Sequence, residues 1–459
     1  MKQSANPLLE LAAFGAQVRA PACPAAVITK ARALLLYGVA VGVTSAAAPV
    51  LERVTRALAR EYGAAGGNAT GFRQGSRLAP SAAAFDNAVL LHVRIQDDAH
   101  PAGHMGTVIL PAALALAEAG IASGADLLGA VIAGYEIALR IGRDHAADLS
   151  KRGFRTTPIY GTLGAAAACA RVLGLDANNT MHALALSTHA ACGLREFADA
   201  GTDEYPFQVG FAARSGLTSA LLAAEGIAGT PTALTGRAGL YRAFGEPGRD
   251  YAARLLDELG TCYELERVTY KPYPGGQWHR GVIRALVALR EQAPDAEIEQ
   301  AEVRMNPFEA KFLGLDYNGP FSTYAQAFFS VPFCAALAWL QHTVSFKALN
   351  RFDDPSVLAL VARIHVVSDE AVERYKPVIR IKLAGGAVLE WSDPPGEEIY
   401  NLTWDIAVEM THALASEAGV ARELADALVE TVRNIEAAPD IAALVAAAVR
   451  VAAAARAAV

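Results

Sequence analysis

Apolar residues recur at helical spacing through residues 7–17, 25–43 and 49–62, and in the last of these Arg53, Arg56 and Arg60 fall on the opposite, outward face. A Gly/Asn loop is expected over 63–71 and a helix over 80–95. Residues 96–106 are polar and broken by Pro101 and Gly103, whereas 107–120 is almost wholly apolar, so a polar loop feeds a buried helix. Ser123 and Asp126 predict a capped start for a helix over 126–141, where Gly129, Ala133 and Gly134 are small enough for another helix to approach closely. The alanine-rich stretches 161–173, 179–192 and 210–226 carry almost no charge and read as internal helices.

From Val268 the texture changes, because Pro272, Pro274, Gly275 and Gly276 end the helical run. Residues 358–367 and 379–383 alternate in the manner of strands, with Gly385-Gly386 as a hairpin turn before 388–391, and helices are expected over 278–293 and 328–344. From Thr403 the pattern is helical again, and the alanine-rich end, 441–459, is too apolar to stand alone and is expected to pack on the first block. The pattern predicts a mainly α protein with a smaller α+β domain: a discontinuous all-helical domain over 1–267 and 402–459, and the α+β domain over 268–401.

Composition agrees with two domains, since 459 residues exceed the ~250–300 at which a single core stops growing. Hydrophobic residues make up 53% and charged residues only 19%, too little charge to cover the surface, so an oligomer is expected. A net charge of −7 and a pI near 5.9 supply no basic face for a nucleic-acid partner. The cysteines, Cys23, Cys169, Cys192, Cys262 and Cys334, are odd in number and never paired as Cys-x-x-Cys, which argues against a disulfide scaffold and gives no zinc or iron–sulfur spacing. Residues 1–10 hold one lysine and no sustained apolar core, so no signal peptide is expected. Residues 34–51 approach the length that spans a bilayer, but their glycines and alanines with Thr44, Ser45 and Pro49 fit a packed core helix better. A cytoplasmic protein with no membrane partner is expected.

Chemistry concentrates in the 96–106 loop, where Asp97, Asp98, His100 and His104 stand ahead of a helix start. Such a start presents unpaired N–H groups and partial positive charge, able to hold a carboxylate ligand beside an imidazole kept at a fixed angle. The Asp pair alone reads as a solvated loop with a helix cap. His104, at the seam between loop and apolar run, is the stronger candidate.

The run His100-Pro101 through Leu110-Pro111-Ala112-Ala113-Leu114-Ala115-Leu116-Ala117-Glu118, with Gly134-Tyr135-Glu136, Arg140-Ile141-Gly142, Gly153-Phe154, Leu173-Gly174-Leu175 and Lys271-Pro272-Tyr273-Pro274 ahead of His279, resembles the MmgE/PrpD family over most of the chain. That family includes 2-methylcitrate dehydratase, cis-aconitate decarboxylase and iminodisuccinate epimerase. The resemblance implies a helical domain with a smaller lid domain, a homodimer, and chemistry on small polycarboxylates with no metal and no cofactor. It also implies that His104 is an active-site histidine, Lys271 an active-site lysine at the domain junction, and Tyr317 a lid tyrosine. Elsewhere the chain departs from the pattern. Arg94 and Asp98 stand where decarboxylating members place an aspartate and a threonine, Arg155 where they place a histidine, and Tyr205 where they carry a second lysine; these four, with His279, are the candidates for substrate binding.

Removing a proton beside a carboxylate needs a base tuned toward neutral pH and cations to hold the enediolate-like charge. Burial would lower Lys271 from its free value of ~10.4, Arg155 offers a bidentate fork for a carboxylate, and His104 serves as a second acid or base. The plainer readings are an exposed boundary lysine for Lys271, a helix cap or partner of Asp148 for Arg155, packing for Tyr317, and a satisfied core histidine for His279. The expected function is a cofactor-independent lyase, a dehydratase of the 2-methylcitrate type acting on a di- or tricarboxylate. The alternatives are an epimerase of an amino- or iminodicarboxylate, a cis-aconitate-type decarboxylase, and a non-catalytic carboxylate-binding protein.

Overall fold

In the computed structural model, which describes residues 6–62, 66–393 and 399–458, apolar side chains gather in two large cores. The larger is built from residues 8–268 and 402–455, and the smaller mainly from residues 282–383. The first helices, Pro7–Gln17, Ala25–Val43 and Pro49–Tyr62, follow the apolar spacing of the sequence. Ala25–Val43 is long and apolar enough to cross a membrane, but 72% of its apolar window is buried inside the protein. The Trp404–Glu417 and Ala442–Ala457 helices pack on it, so the end of the chain completes the core begun at its start.

At the centre lie the Gly106–Gly120, Gly124–Arg143 and Thr156–Val172 helices, flanked by Pro80–His92 and Tyr205–Ala224. Ser123 caps the second of these by accepting the Asp126 amide at 3.1 Å. Gly134 lets two helices meet backbone to backbone: a Cβ there would lie 2.8 Å from the Gly164 carbonyl oxygen. All three helices are buried on nearly every side, as apolar composition without a polar stripe requires.

A short hairpin, β1 (Ala69–Gly71) and β2 (Ser76–Leu78), edges this block. In the smaller part, β3 (Ile298–Met305), β4 (Ile364–Ser368), β5 (Val378–Leu383) and β6 (Val388–Ser392) form a sheet in the order β4-β3-β5-β6, with β3 parallel to β4 and antiparallel to β5. The His279–Gln292 and Val331–Gln341 helices pack against each other and against the sheet edges.

Several expected elements differ. The strand expected over 358–367 is helix in its first half, Pro355–Val361, because Asp354 accepts the Ser356 amide at 3.0 Å and Pro355 opens the turn. The helix expected over 328–344 is broken at Ser330, whose hydroxyl accepts the Phe333 amide at 3.0 Å and starts a new helix. The helix expected over 80–95 stops at His92. Strand β3 was not legible in the pattern, since Glu299, Gln300, Glu302 and Arg304 dilute its apolar face. Part of the expected Gly/Asn loop, 63–65, and part of the expected non-signal start, 1–5, lie outside the described residues.

The polar loop is fastened to the segment that links the two cores. Ala99 and Thr269 exchange amide hydrogen bonds of 2.8 Å in both directions. Tyr37, from the apolar Ala25–Val43 helix, sets its hydroxyl between the Gln96 and Lys271 carbonyls, 2.8 Å from the latter.

Candidate active site

A cavity of ≈ 210 Å³ opens between the two cores. The loop residues His100, Gly103 and His104 and the amino end of the Thr156–Val172 helix form one side; Trp278, Phe312, Phe328, Phe329 and Tyr375 form the other. Gly103 is required at its place: its φ is +134°, and a Cβ would lie 2.8 Å from Thr157 Oγ1. The same hydroxyl accepts the His104 amide at 3.1 Å, so the loop is tied to the helix start.

His104 is held through Nδ1, 2.7 Å from the Asp98 carbonyl oxygen. A carbonyl only accepts, so Nδ1 carries the hydrogen and Nε2 is the unprotonated nitrogen. Among the described residues Nε2 has no hydrogen-bond partner, and His104 lines the cavity with 17% of its side chain exposed. Burial, helped by the charge of Lys271, holds its pKa well below the usual 6.5, so the ring is neutral at neutral pH. Asp97 Oδ2 stands 3.7 Å from Nδ1, placed to favour the charge that would form if Nε2 took a proton.

Beneath His104 lies a closed layer of charged groups. Asp97 Oδ1 accepts His92 Nδ1–H at 2.9 Å, and His92 Nε2 in turn faces the Arg155 guanidinium. A guanidinium only donates, so His92 is neutral; burial has lowered its pKa to about 4. Burial pushes the Asp97 carboxyl up, but the Lys271 charge and the hydrogen bond from His92 outweigh it and hold it below the carboxylate range. Lys271 is wholly buried and donates to the Ile95 carbonyl at 2.7 Å, the Gly275 carbonyl at 3.1 Å and Asp97 Oδ2 at 3.3 Å. Burial lowers its pKa, as expected, yet all three of its N–H groups are committed and it does not line the cavity.

The eight residues singled out from the sequence therefore divide. His104 and Arg155 line the cavity. Lys271, Asp98 and Tyr205 belong to the layer below: Asp98 accepts the Gly106 amide at 3.2 Å and the Tyr135 hydroxyl at 2.8 Å, and Tyr205 donates to the Val93 carbonyl at 2.6 Å while its own carbonyl accepts Arg155 Nη1 at 2.6 Å. The expected free fork of Arg155 is thus largely spent inside the protein. Three others face elsewhere. Arg94 pairs with Glu417 and donates to Gln96 at 2.6 Å, on the wall of a separate cavity. His279 is held at both ring nitrogens by backbone, the Gly276 amide at 2.9 Å and the Phe329 carbonyl at 3.2 Å. Tyr317 donates to the Pro320 carbonyl at 2.6 Å. Each is turned by a partner that the sequence does not reveal.

The order of these parts along the chain matches a known pattern. The family model of the MmgE/PrpD N-terminal domain matches residues 9–251, and that of the MmgE/PrpD C-terminal domain matches residues 273–397. The chain belongs to the MmgE/PrpD family. Its similar proteins include a cis-aconitate decarboxylase-like protein of Aspergillus oryzae, 30% identical over 306 residues that make 63% of each chain. They also include the cis-aconitate decarboxylase of Homo sapiens, 34% identical over 47% of this chain and 45% of that one, and that of Aspergillus terreus, 27% identical over 72% and 71%. The chain thus spans between 45% and 63% of the length of the first two of these relatives.

In this MmgE/PrpD chain the sequence pattern missed His92, Arg195 and Arg374, and it read Asp97 as part of a solvated, helix-capping pair, whereas the carboxylate is buried on His92 and Lys271. His92 offered one signal, a lone imidazole ending an otherwise uncharged helix face. Arg195 and Arg374 offered none, since both look like ordinary surface arginines until the fold brings them to one cavity.

Proposed function

We propose that the chain is a lyase acting on a small di- or tricarboxylate, with His104 Nε2 taking the proton from the carbon next to a carboxylate. The observation that carries this is the fixed tautomer of His104: Nδ1–H is held by the Asp98 carbonyl, and a neutral Nε2 is left to the cavity. The charge that develops on the substrate is met by a cavity carrying arginines and the amino end of a helix. The imidazolium, favoured by Asp97, then holds the proton that a β-hydroxyl needs to depart as water, leaving an unsaturated acid.

A second reading, decarboxylation, is favoured by the names of the relatives, all of them cis-aconitate decarboxylases or like them. Decarboxylation ends by giving a proton to a carbanion, and the neutral His104 ring keeps its one proton on Nδ1, bonded to the Asp98 carbonyl, so Nε2 meets the cavity as an acceptor. Abstraction first, followed by loss of water or by return of the proton to the other face, suits the geometry better.

The reactions are told apart by incubating the chain with a panel of polycarboxylates in deuterated water. Elimination creates far-ultraviolet absorbance without carbon dioxide, decarboxylation releases carbon dioxide, and epimerisation incorporates deuterium with neither. No change with any acid would overturn the enzymatic reading and favour a carboxylate-binding protein. We also read the chain as a homodimer, on its hydrophobic content and on the apolar side chains left exposed along one helix.

A further inference from the structure

Four arginines line the cavity, and their partners differ. Arg143 is neutralised by Glu264 at 2.6 Å, and Arg155 is bound inward to Tyr205 and His92. Arg195 and Arg374 form no ion pair with a carboxylate among the described residues. Arg195 donates to Ser150 Oγ at 3.2 Å and lies over the Phe312 ring at 4.4 Å; Arg374 lies over the Phe308 ring at 3.7 Å and reaches the Tyr375 hydroxyl at 3.4 Å.

An arginine stacked on a ring keeps its plane fixed and its N–H edge free, the arrangement that grips a carboxylate through two parallel bonds. Arg195 has spent one of its five N–H groups. It is largely enclosed, and burial has drawn its pKa from 12.5 to about 10, the mark of a cation that lacks a counter-charge. Arg374 is set by its neighbour: Tyr375 takes a left-handed φ of 62°, unusual outside glycine, and its amide is held by Glu309 at 2.9 Å. Arg195 comes from the segment beside the larger core and Arg374 from the loop between β4 and β5, so the two arginines reach the cavity from opposite parts of the chain.

We propose that Arg195 and Arg374 form a second anion subsite, which holds the substrate carboxylate farthest from the reacting carbon and makes the site selective for acids with an additional carboxylate. This rests on the polycarboxylate reading above. The substrate would supply the direct ion-pair partner that neither arginine has among the described residues.

The test is isothermal titration of the full chain and of Arg195→Gln and Arg374→Gln, with three probes: propane-1,2,3-tricarboxylate, pentanedioate and inorganic phosphate. The wild type is expected to bind the tricarboxylate at least ~10-fold more tightly than the dicarboxylate, the scale of one charge-assisted pair. Each variant is expected to lose that preference while its affinity for pentanedioate stays within about twofold. Variants that keep the full preference, or a wild type with none, overturn the subsite and leave the polycarboxylate reading standing. Phosphate binding that depends on Arg195, with neither acid bound, sinks the polycarboxylate reading and keeps the anion subsite. Binding of no probe removes both. Arg374 is exposed, so its variant reports even where Arg195→Gln unfolds.

Discussion

Lys271 Nζ lies 3.3 Å from Asp97 Oδ2 in a layer closed to solvent, with its other two N–H groups on the Ile95 and Gly275 carbonyls. An ammonium with every proton committed has no lone pair to offer, so in this arrangement Lys271 positions the loop and supports His104 rather than acting as the base. Replacing it takes one donor from each of the Asp97 carboxylate and the Ile95 and Gly275 carbonyls, all inside the protein, and removes the cation that balances the Asp97 charge. Lys271→Met is expected to cost about 3–5 kcal/mol, read in urea melts. A variant as stable as wild type but inactive would restore Lys271 to the chemistry.

His104→Ala removes the imidazole that, among the described residues, brings a ring nitrogen without a hydrogen-bond partner to the cavity, and the base of the proposed reaction; the side chain is partly exposed, so folding is spared. Its kcat is expected to fall by at least ~10². In the wild type the base must be unprotonated, and its pKa is lowered. The acid limb of kcat/KM should therefore lie below pH 6.5, the ordinary imidazole value, with a flat profile from there to neutrality. A limb above pH 6.5 would count against His104.

Asp98 behaves oppositely. Burial raises its carboxyl from 3.8 to about 7, against the Tyr135 hydroxyl and the Gly106 amide, which favour the charge. A folded pKa above the unfolded one means that the folded chain binds the extra proton, so this contribution to stability is full below pH 3.8 and is lost as pH rises to about 7. Asp98→Asn keeps an acceptor for both donors and cannot ionise. Its melting temperature relative to wild type should climb between pH 5 and pH 8, by an amount equivalent to a few kcal/mol at most. A constant difference across that range would contradict the raised pKa.

Phe211, Leu222 and Ile227 remain 53%, 44% and 48% exposed on and just after the Tyr205–Ala224 helix. Light scattering at micromolar concentration should give a dimer, and Phe211→Glu with Leu222→Glu should give a folded monomer. A wild type that is monomeric refutes the proposal.

The sequence by itself determined what is local. Helical spacing, the Ser123 cap and the apolar runs locate the main helices because each is set by neighbours three or four residues away. The chain's change of texture near Val268 and its family motifs follow from the same local record, and so does His104, which stands where a polar loop meets a buried helix.

Tertiary structure decided where the side chains turn and what they meet. Arg94 is drawn to Glu417, 323 positions away, and so leaves the cavity that its place in the family pattern suggested. Lys271 finds a carbonyl 176 positions away and becomes a clamp. Arg155 is consumed by His92 and Tyr205, while Arg195 and Arg374, unmarked in the sequence, form no ion pair among the described residues beside the same cavity. Burying a charge demands a partner, and which partner arrives depends on packing between distant segments. No spacing along the chain records that choice.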